Sequence, residues 1–347
     1  MRSNLRTADI MPEYTTRSKQ CQHPITLQAP IATKFIRNAN NVQERIEKLL
    51  CALFQIYLRY LLAMGISKSH VFMKKKLLAQ QLENCIDRDE LALLPRSWYI
   101  IGDAIIVRWK SGVTVWKLIG EALLTIYPRA RYVLLDYGIY GNFREPKREL
   151  IAPRCAITSF ETIHRENGCL FKLDPMRIMF SAGNLHERQL LNGICDDEVV
   201  IDMFAGIGYF TVPIAVHSKP KKILAIELNA QSYQYLKQNI KLNRIEPRVV
   251  ALHGDCSKLT PTNMADRVIM GYLSSEEYLL SGITALTSGG TLHYHEAVPE
   301  VLYPQRPIKR IKRAALKSGC EIKSIGCRRV KKYSPGVLHS CFDVTIK

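Results

Sequence analysis

A short apolar segment that ends in an acid and then meets two closely spaced glycines constrains this chain more than any other feature. It reads VVIDMFAGIGYF over residues 199–210. We interpret it as a buried strand that turns after Asp202 into a helix. Gly206 and Gly208 allow the backbone to pass close to a ligand, and the start of the helix offers unpaired N–H groups. The segment therefore predicts a nucleotide-like ligand at a strand-to-helix turn.

Two further apolar strands also end in acids. Residues 222–227 end at Glu227 and residues 248–255 end at Asp255. Parallel strands bring such ends to one edge of an open α/β sheet, where ligands bind, and Glu227 has the spacing of a ribose-binding carboxylate. A lone Gly-x-Gly also suits an ordinary tight turn, but the three acids together favour a nucleotide site. Thr211 replaces the third glycine of the dinucleotide fingerprint, which argues against NAD.

The charge of the chain favours a polyanionic partner. Lys and Arg number 49 against 31 Asp and Glu, a net charge of +18. Such an excess indicates association with nucleic acid, although a merely basic soluble protein is the alternative. The ten cysteines form no C-x-x-C pair and have no histidine pattern suited to zinc. We therefore predict reduced cysteines, a cytoplasmic protein and no metal site.

The first thirty residues lack the apolar core of a signal peptide. Residues 46–66 are apolar but are interrupted by charged and amide side chains, which favours a helix packed against protein over a membrane span. No membrane partner is expected.

The chain divides into three predicted regions. Residues 1–75 comprise a polar arm followed by a helical stretch, and their role is unknown. Residues 76–189 predict a small α+β domain that supports the site and the nucleic acid, with a hairpin at 100–107, a helix at 116–127, strands at 131–135, 156–165 and 169–173, and a charged loop at 141–148. Residues 190–347 predict a doubly wound catalytic domain, with strands at 199–202, 222–227, 248–253, 266–270, 290–294, 321–330 and 338–346, and helices at 230–242 and 307–318. A turn over residues 331–336 is expected to join the last two strands as an antiparallel hairpin that closes the sheet.

The Asp-x-x-x-Gly-x-Gly loop resembles that of class I methyltransferases, in which it wraps the methionine part of S-adenosyl-L-methionine and the next acid holds the ribose. Three other segments resemble one tRNA-modifying group of that superfamily: residues 180–184 (FSAGN), residues 144–146 (REP), and residues 333–335 (YSP) followed by His339 and Asp343. The group contains the tRNA guanosine-37 N1-methyltransferases and the wybutosine-synthesis tRNA 4-demethylwyosine C7 aminocarboxypropyltransferases. The resemblance covers about residues 80–347. It implies a Rossmann-like α/β domain, S-adenosyl-L-methionine as co-substrate and tRNA as partner, with the enzyme expected to be a monomer.

The turn after the fourth strand separates the two branches of this group. Methyltransferases that act on a ring nitrogen usually carry an Asn/Asp-(Leu/Pro)-Pro turn there, whereas residues 271–277 read GYLSSEE. The resemblance therefore implies transfer of the 3-amino-3-carboxypropyl group to C7 of 4-demethylwyosine at position 37 of tRNA-Phe, with release of methylthioadenosine. Methyl transfer to guanosine-37 stays open as the alternative. An RNA-binding protein with a decayed cofactor site is a third possibility, against which the intact acids and glycines argue.

The sulfonium of S-adenosylmethionine activates three carbons, and the carbon held in line with the acceptor is the one transferred. The protein must mainly position the reactants, so no catalytic side chain is required by the sequence; Tyr272, His293 and His295 are candidates. The two histidines lie on one face of a strand, near the expected RNA pocket, and have no third metal ligand nearby.

The resemblance also implies roles for individual residues. Ser181 and Arg188 are expected at polar groups of the cofactor, Asp202, Gly206 and Gly208 along its methionine side, Glu227 at the ribose and Asp255 at the adenine amine. Arg188 stands where the family commonly has Lys, and Cys256 where it commonly has Asn, whose hydrogen bonds a thiol cannot replace. Tyr209 or Tyr272 is expected to stack near the target base. The candidates for binding RNA phosphates are Arg144, Lys147, Arg306, Lys309, Arg310, Lys312 and Arg313, together with the basic residues 328, 329, 331 and 332.

Overall fold

The computed structural model describes residues 67–141 and 144–347. The first part of this region contains a small four-stranded sheet. Its elements are α1 (Ser67–Leu82), α2 (Arg88–Leu93), β1 (Trp98–Ile101), β2 (Ala104–Arg108), α3 (Trp116–Ile126), β3 (Tyr132–Tyr140) and β4 (Glu145–Pro153). The sheet order is β1-β2-β3-β4. The predicted hairpin is confirmed, with its turn at Gly102, where φ is +57°. Helix α3 connects the parallel strands β2 and β3.

Strand β4 corrects the sequence prediction, which gave residues 141–148 as a charged loop. β4 begins at Glu145 and pairs antiparallel with β3. Its first five residues alternate between exposed and buried. The sequence does not show this alternation, because one of the buried positions is the charged Arg148. Asp136 compensates its charge inside the protein, with Nε and Oδ1 3.3 Å apart.

The second part of the described region is a seven-stranded sheet flanked by helices. An antiparallel hairpin, β5 (Thr162–Glu166) and β6 (Cys169–Leu173), and helix α4 (Leu185–Leu190) precede it. The sheet domain comprises β7 (Val199–Asp202), α5 (Thr211–His217), β8 (Lys222–Glu227), α6 (Ala230–Leu242), β9 (Val249–His253), α7 (Cys256–Leu259), β10 (Ala265–Met270), α8 (Leu279–Thr284), β11 (Leu286–Pro299), α9 (Gln305–Ser318), β12 (Ile322–Ser334) and β13 (Val337–Ile346). Short 3₁₀ turns lie at Ala182–Asn184, Glu276–Tyr278 and Glu300–Leu302.

The strand order is β12-β13-β11-β10-β7-β8-β9. Strands β7 to β11 are parallel, and β13 runs antiparallel between β11 and β12. This arrangement confirms the predicted Rossmann-like α/β fold and its closing antiparallel hairpin. Four predicted strand lengths were wrong. β3 continues to Tyr140 rather than ending at residue 135, and β5 begins at Thr162 rather than at residue 156. β11 begins at Leu286 rather than at residue 290, and β12 continues to Ser334, so the closing turn lies at Pro335 and Gly336 rather than over 331–336.

Apolar side chains cover both faces of the large sheet. One buried cluster joins this sheet to the β5–β6 hairpin and to the inner face of the small sheet, through residues such as Ile106, Phe171 and Val200. The other lies beneath α8 and α9. The hairpin is also held by Asn239 on α6, whose side chain accepts from the Lys172 backbone N–H at 2.7 Å. Both sheets are therefore anchored on the same core, which fixes the cavity between them.

In the part of the chain that the structure describes, no helix has the length and apolar character needed to cross a membrane. Residues 46–66, predicted to form a helix packed against protein, lie outside the described residues.

Candidate active site

A cavity of about 1060 Å³ lies at the carboxyl ends of the parallel strands, between the two sheets. The large sheet contributes Gly206, Glu227, Asp255, Cys256 and Tyr272. The small sheet contributes Tyr99, Arg108, Arg144 and Arg148. The β12–β13 hairpin contributes Lys331, Lys332, Tyr333 and His339. Its position is that predicted from the three strands ending in acids.

The loop after β7 brings Gly206 to the cavity wall. Its φ is +58°, and a Cβ would lie 2.4 Å from the ring of Tyr209. Its N–H donates to the Glu227 carboxylate at 2.7 Å. Gly208 has φ +99° but does not line the cavity; there a Cβ would meet Val212 at 2.7 Å. Gly206 is thus required by the turn at the cavity, and Gly208 by helix packing.

Asp202, expected along the methionine side of the ligand, lies below the loop instead. It is fully buried and does not line the cavity. It accepts from the Thr211 hydroxyl at 2.7 Å and from the Phe204 N–H at 3.4 Å. Burial raises its pKa to about 6. Asp202 therefore ties the end of β7 to the start of α5, as a capping carboxylate does.

Glu227 and Asp255 both line the cavity, but in different environments. Each oxygen of the Glu227 carboxylate accepts one backbone N–H, from Gly206 and from Asn229, each at 2.7 Å. Burial raises the pKa of Glu227. Asp255 caps α7 by accepting from the Ser257 N–H, which lowers its pKa. Burial raises the pKa of the neighbouring Cys256 thiol to about 12, so it stays protonated.

Ser181 contacts Lys331, one of the basic residues predicted to bind RNA phosphates. Lys331 Nζ lies 3.1 Å from Ser181 Oγ, and both residues line the cavity. Burial, together with Arg188 and Arg144, lowers the pKa of Lys331. Within the described residues, no carboxylate forms an ion pair with Lys331. Its only sequence signal was a place in a basic run, which does not distinguish a surface lysine from one inside a site.

Arg188, expected at the cofactor, is 3% exposed and forms a bidentate pair with Glu166. The Nε and NH2 groups donate to the two carboxylate oxygens at 2.6 and 2.8 Å. The guanidinium also donates to the Ser181 carbonyl at 3.2 Å. The charge of Arg188 is therefore compensated inside the protein, although the residue still lines the cavity.

The turn after β10 forms another side of the cavity. Gly271 lies against Phe210, whose ring a Cβ would meet at 2.7 Å. Tyr272 lines the cavity and packs on Phe204, with ring centroids 5.5 Å apart. Tyr209 lies in the wall, packed on Phe180, and its hydroxyl donates to the Met179 carbonyl. Both tyrosines predicted to stack near the target base therefore line this space.

The candidate histidines, His293 and His295, do not line the cavity. His293 is held between Asp343 and Arg267, with both partners 2.6 Å from its ring nitrogens. His295 is buried, and its Nδ1 lies 2.9 Å from Nε2 of His339. His339 is the histidine that lines the cavity. Burial lowers the pKa of His339 to about 4, and its Nδ1 has no hydrogen-bond partner among the described residues.

A polar cluster lies behind these histidines and brings Glu187, Cys341 and Asp343 close to them, which corrects the expectation that no third ligand group is nearby. The ligand atoms of Glu187, His295 and Cys341 lie within 4.8 Å of one another, as do those of His293, Cys341 and Asp343. The guanidinium of Arg328 reaches both groups, since it donates to Glu187 at 2.8 Å, to Cys341 Sγ at 3.1 Å and to Asp343. Arg328 therefore supplies the positive charge that the acids of this cluster require.

The predicted RNA-binding residues fall into two sets. Arg306 and Arg310 both donate to Glu296, at 3.0 and 2.6 Å, and this carboxylate is 1% exposed. Lys309, Lys312 and Arg313 are exposed on α9, as is Lys147 on β4. Arg144 lines the cavity, whereas Lys147 and the α9 residues do not.

Comparison with known proteins gives the following matches. Residues 162–323 match the TRM5/TYW2 methyltransferase domain, and residues 78–153 match the TYW2 N-terminal domain. The tRNA(Phe) (4-demethylwyosine(37)-C(7)) aminocarboxypropyltransferase of Methanocaldococcus jannaschii is 41% identical over 70% of this chain and 95% of its own length. The crystal structure of M. jannaschii TYW2 in complex with AdoMet is 37% identical and covers 72% of this chain and 99% of its own, with a TM-score of 0.59. The crystal structure of Pyrococcus horikoshii TYW2 in complex with MeSAdo is 32% identical and covers 78% of this chain and 98% of its own, with a TM-score of 0.69.

Proposed function

Because the chain belongs to the TRM5/TYW2 methyltransferase family, we propose that it is an S-adenosylmethionine-dependent transferase that moves the 3-amino-3-carboxypropyl group to C7 of 4-demethylwyosine at position 37 of tRNA-Phe. Methylthioadenosine is the second product. The observation that carries this proposal is the turn after β10, where Gly271 and Tyr272 stand in place of the Asn-x-Pro that holds a ring nitrogen for methylation. The 41% identity to an aminocarboxypropyltransferase supports the same branch.

The residues of the cavity suit S-adenosylmethionine. Lys331 is a half-buried ammonium with a lowered pKa and no ion-pair partner among the described residues, so its corner of the cavity favours an anion. The carboxylate of the methionine moiety supplies one, and the Ser181 hydroxyl adds a further hydrogen-bond donor. Glu227 would hold the ribose hydroxyls. Each of its carboxylate oxygens accepts one hydrogen bond from a backbone N–H and can accept a second one. Asp255 would accept from the adenine amine.

The co-substrate supplies an electrophilic γ-carbon, and the protein has to place the acceptor carbon in line with it. Ser181 and Lys331 would fix the amino-acid end, while Tyr272 and Tyr209 bound the space that the base enters. C7 must lose its proton when the new C–C bond forms. His339 would accept that proton, because it lines the cavity and its lowered pKa keeps the ring neutral.

Isotope labelling distinguishes the two possible transfers. S-adenosylmethionine carrying one label on the methyl group and another on the carboxyl carbon is incubated with tRNA-Phe that contains 4-demethylwyosine. We expect the carboxyl label in the tRNA and the methyl label in released methylthioadenosine. Methyl label in the tRNA together with S-adenosylhomocysteine would show methyl transfer instead. The same tRNA with guanosine at position 37 should accept neither label, and Glu227→Ala should slow the reaction.

We further propose that the protein acts as a monomer in the cytoplasm. Light scattering on the protein after gel filtration tests the first part, and localisation of the tagged full-length chain tests the second.

A further inference from the structure

A second, smaller cavity adjoins the main one. It measures about 260 Å³ and is lined by Arg108, Trp109, Asp136, Tyr137, Gly138 and Ile139. It forms where the parallel strands β2 and β3 pass their last paired residues, Arg108 and Asp136, and the Trp109 N–H donates to the Asp136 carbonyl at 2.8 Å. Arg108, Asp136 and Ile139 also line the main cavity. The two cavities therefore share a wall.

The walls of the small cavity are unusually aromatic for an exposed surface. Trp109 is 47% exposed, and nearby Tyr140 is 57% exposed. The rings of Trp109 and Tyr137 have centroids 6.3 Å apart and are inclined by 30°. A volume below the roughly 300–1,000 Å³ of pockets for whole drug-sized ligands admits a single planar ring system. An exposed apolar patch beside a binding cavity indicates an interaction site.

Positive charge flanks these rings. Arg108 is exposed and forms no ion pair among the described residues. Lys147 is also exposed, and its Nζ lies 6.0 Å from the centre of the Tyr137 ring. Flat rings between uncompensated cations are how proteins hold unpaired nucleotides, with the base stacked and the phosphate paired to the cation.

We propose that this small cavity is a subsite for one unpaired nucleotide adjacent to the modified base, with its base on Trp109 and Tyr137 and its phosphate at Arg108 or Lys147. The inference rests on the proposed tRNA-modifying function. Because the two cavities share a wall, the stacked nucleotide would lie beside the nucleotide that enters the main cavity. The subsite would therefore keep the anticodon loop of the tRNA open while position 37 is modified. Stacking tolerates every base, so the subsite would set register rather than sequence.

Fluorescence of 2-aminopurine tests this proposal in the full-length protein. Two anticodon stem-loop RNAs carry the probe immediately 5′ or 3′ of position 37. We expect the wild-type protein and Trp109→Phe to quench the probe at one of the two positions. Trp109→Ala should lose the quenching and bind the RNA roughly 5- to 150-fold more weakly, the effect of one lost base–aromatic stack. Leu316→Ala, which removes an 82% exposed apolar side chain on α9, should match wild type.

Equal quenching by Trp109→Ala and wild type, or no quenching by wild type at either position, overturns the subsite; the aromatic face would then serve another partner, such as a protein. The product assay separates this result from failure of the proposed function. Carboxyl label in the tRNA without quenching leaves the function standing and the subsite refuted. Quenching that depends on Trp109 together with methyl label in the tRNA supports the subsite and refutes aminocarboxypropyl transfer.

Discussion

Ser181 and Lys331 are 150 positions apart in the sequence, yet their side chains meet at 3.1 Å in the cavity. Only one of these two residues could be predicted from the sequence to lie at the cofactor. Ser181 was identified from a family motif. Lys331 was seen only as part of a basic run, because nothing in the sequence shows that β12 extends far enough to carry it to Ser181.

Lys331→Ala should weaken S-adenosylmethionine binding by about 10- to 100-fold, since a hydrogen bond to a charged group contributes roughly 1.5–3 kcal/mol. Lys331→Arg keeps the charge and should recover part of the affinity. Isothermal titration calorimetry measures the change. Lys323→Ala, on an exposed position of the same strand, is the matched control and should bind as wild type does. Unchanged affinity in Lys331→Ala would contradict the anion-binding role.

His339→Gln should lower kcat with little change in the KM for S-adenosylmethionine, because it removes the proton acceptor and not a cofactor contact. The neutral ring is the active form, so wild-type activity should be independent of pH above about 5 and fall as the pH drops through about 4. Single-turnover rates between pH 4 and 8 measure this. A variant that keeps the wild-type rate, or an acid limb that survives the substitution, would exclude His339 as the acceptor.

Asp202 makes stability depend on pH. Its folded-state pKa of about 6 exceeds the roughly 3.9 of an unfolded chain, so its stabilising contribution is complete below about pH 4 and is lost as the pH rises through 6. Asp202→Asn cannot titrate, and its free energy of unfolding should fall less between pH 4 and 7. The difference should be about 3 kcal/mol or less. Urea denaturation at several pH values measures it, with the exposed Glu246→Gln following wild type. Parallel pH curves for wild type and Asp202→Asn would refute the assignment.

At the scale of the element, periodicity predicted α9 well but not the roles of its charges. The helix was expected over residues 307–318 and forms over Gln305–Ser318. The spacing of its basic residues could not show that Arg306 and Arg310 face a buried acid, because that acid, Glu296, belongs to β11. Strand β4 was missed for a related reason, since its buried Arg148 has its partner Asp136 on another strand.

The two charge sets of α9 should therefore behave differently. Replacing Arg306 and Arg310 by Ala leaves the buried Glu296 carboxylate uncompensated and should destabilise the fold by roughly 3–5 kcal/mol. Replacing Lys309, Lys312 and Arg313 by Ala should change stability by less than about 0.5 kcal/mol per site and should weaken tRNA binding. Thermal unfolding and a filter-binding assay measure the two effects. Equal loss of stability in both variants would contradict this division, and unimpaired tRNA binding by the triple variant would remove α9 from the RNA interface.

At the scale of the whole molecule, the order of elements and the edge of the sheet that carries the site could both be predicted, because three short strands end in acids and parallel strands align those ends. The position of the small domain beside that edge could not be predicted from the sequence. It depends on buried contacts between the inner face of the small sheet, the β5–β6 hairpin and the large sheet, which are far apart in sequence. These contacts bring Arg108, Arg144 and Arg148 to a cavity that Glu227 and Asp255 line from the other domain.

This arrangement predicts how tRNA binding responds to salt. The basic residues at the cavity come from both domains and, with the charge of +18, should contact several phosphates at once. The logarithm of the binding constant should then fall linearly with the logarithm of salt concentration, by roughly 0.7–0.9 per phosphate contacted. Arg144→Ala and Lys332→Ala should each reduce the slope by about that amount. Lys222→Ala is the matched control, because this exposed lysine begins β8 at the opposite edge of the sheet and should leave the slope unchanged. If Lys222→Ala reduced the slope as much as the cavity variants, the charge would act as a diffuse field around the protein, and the tRNA would not be held across the two domains at the cavity.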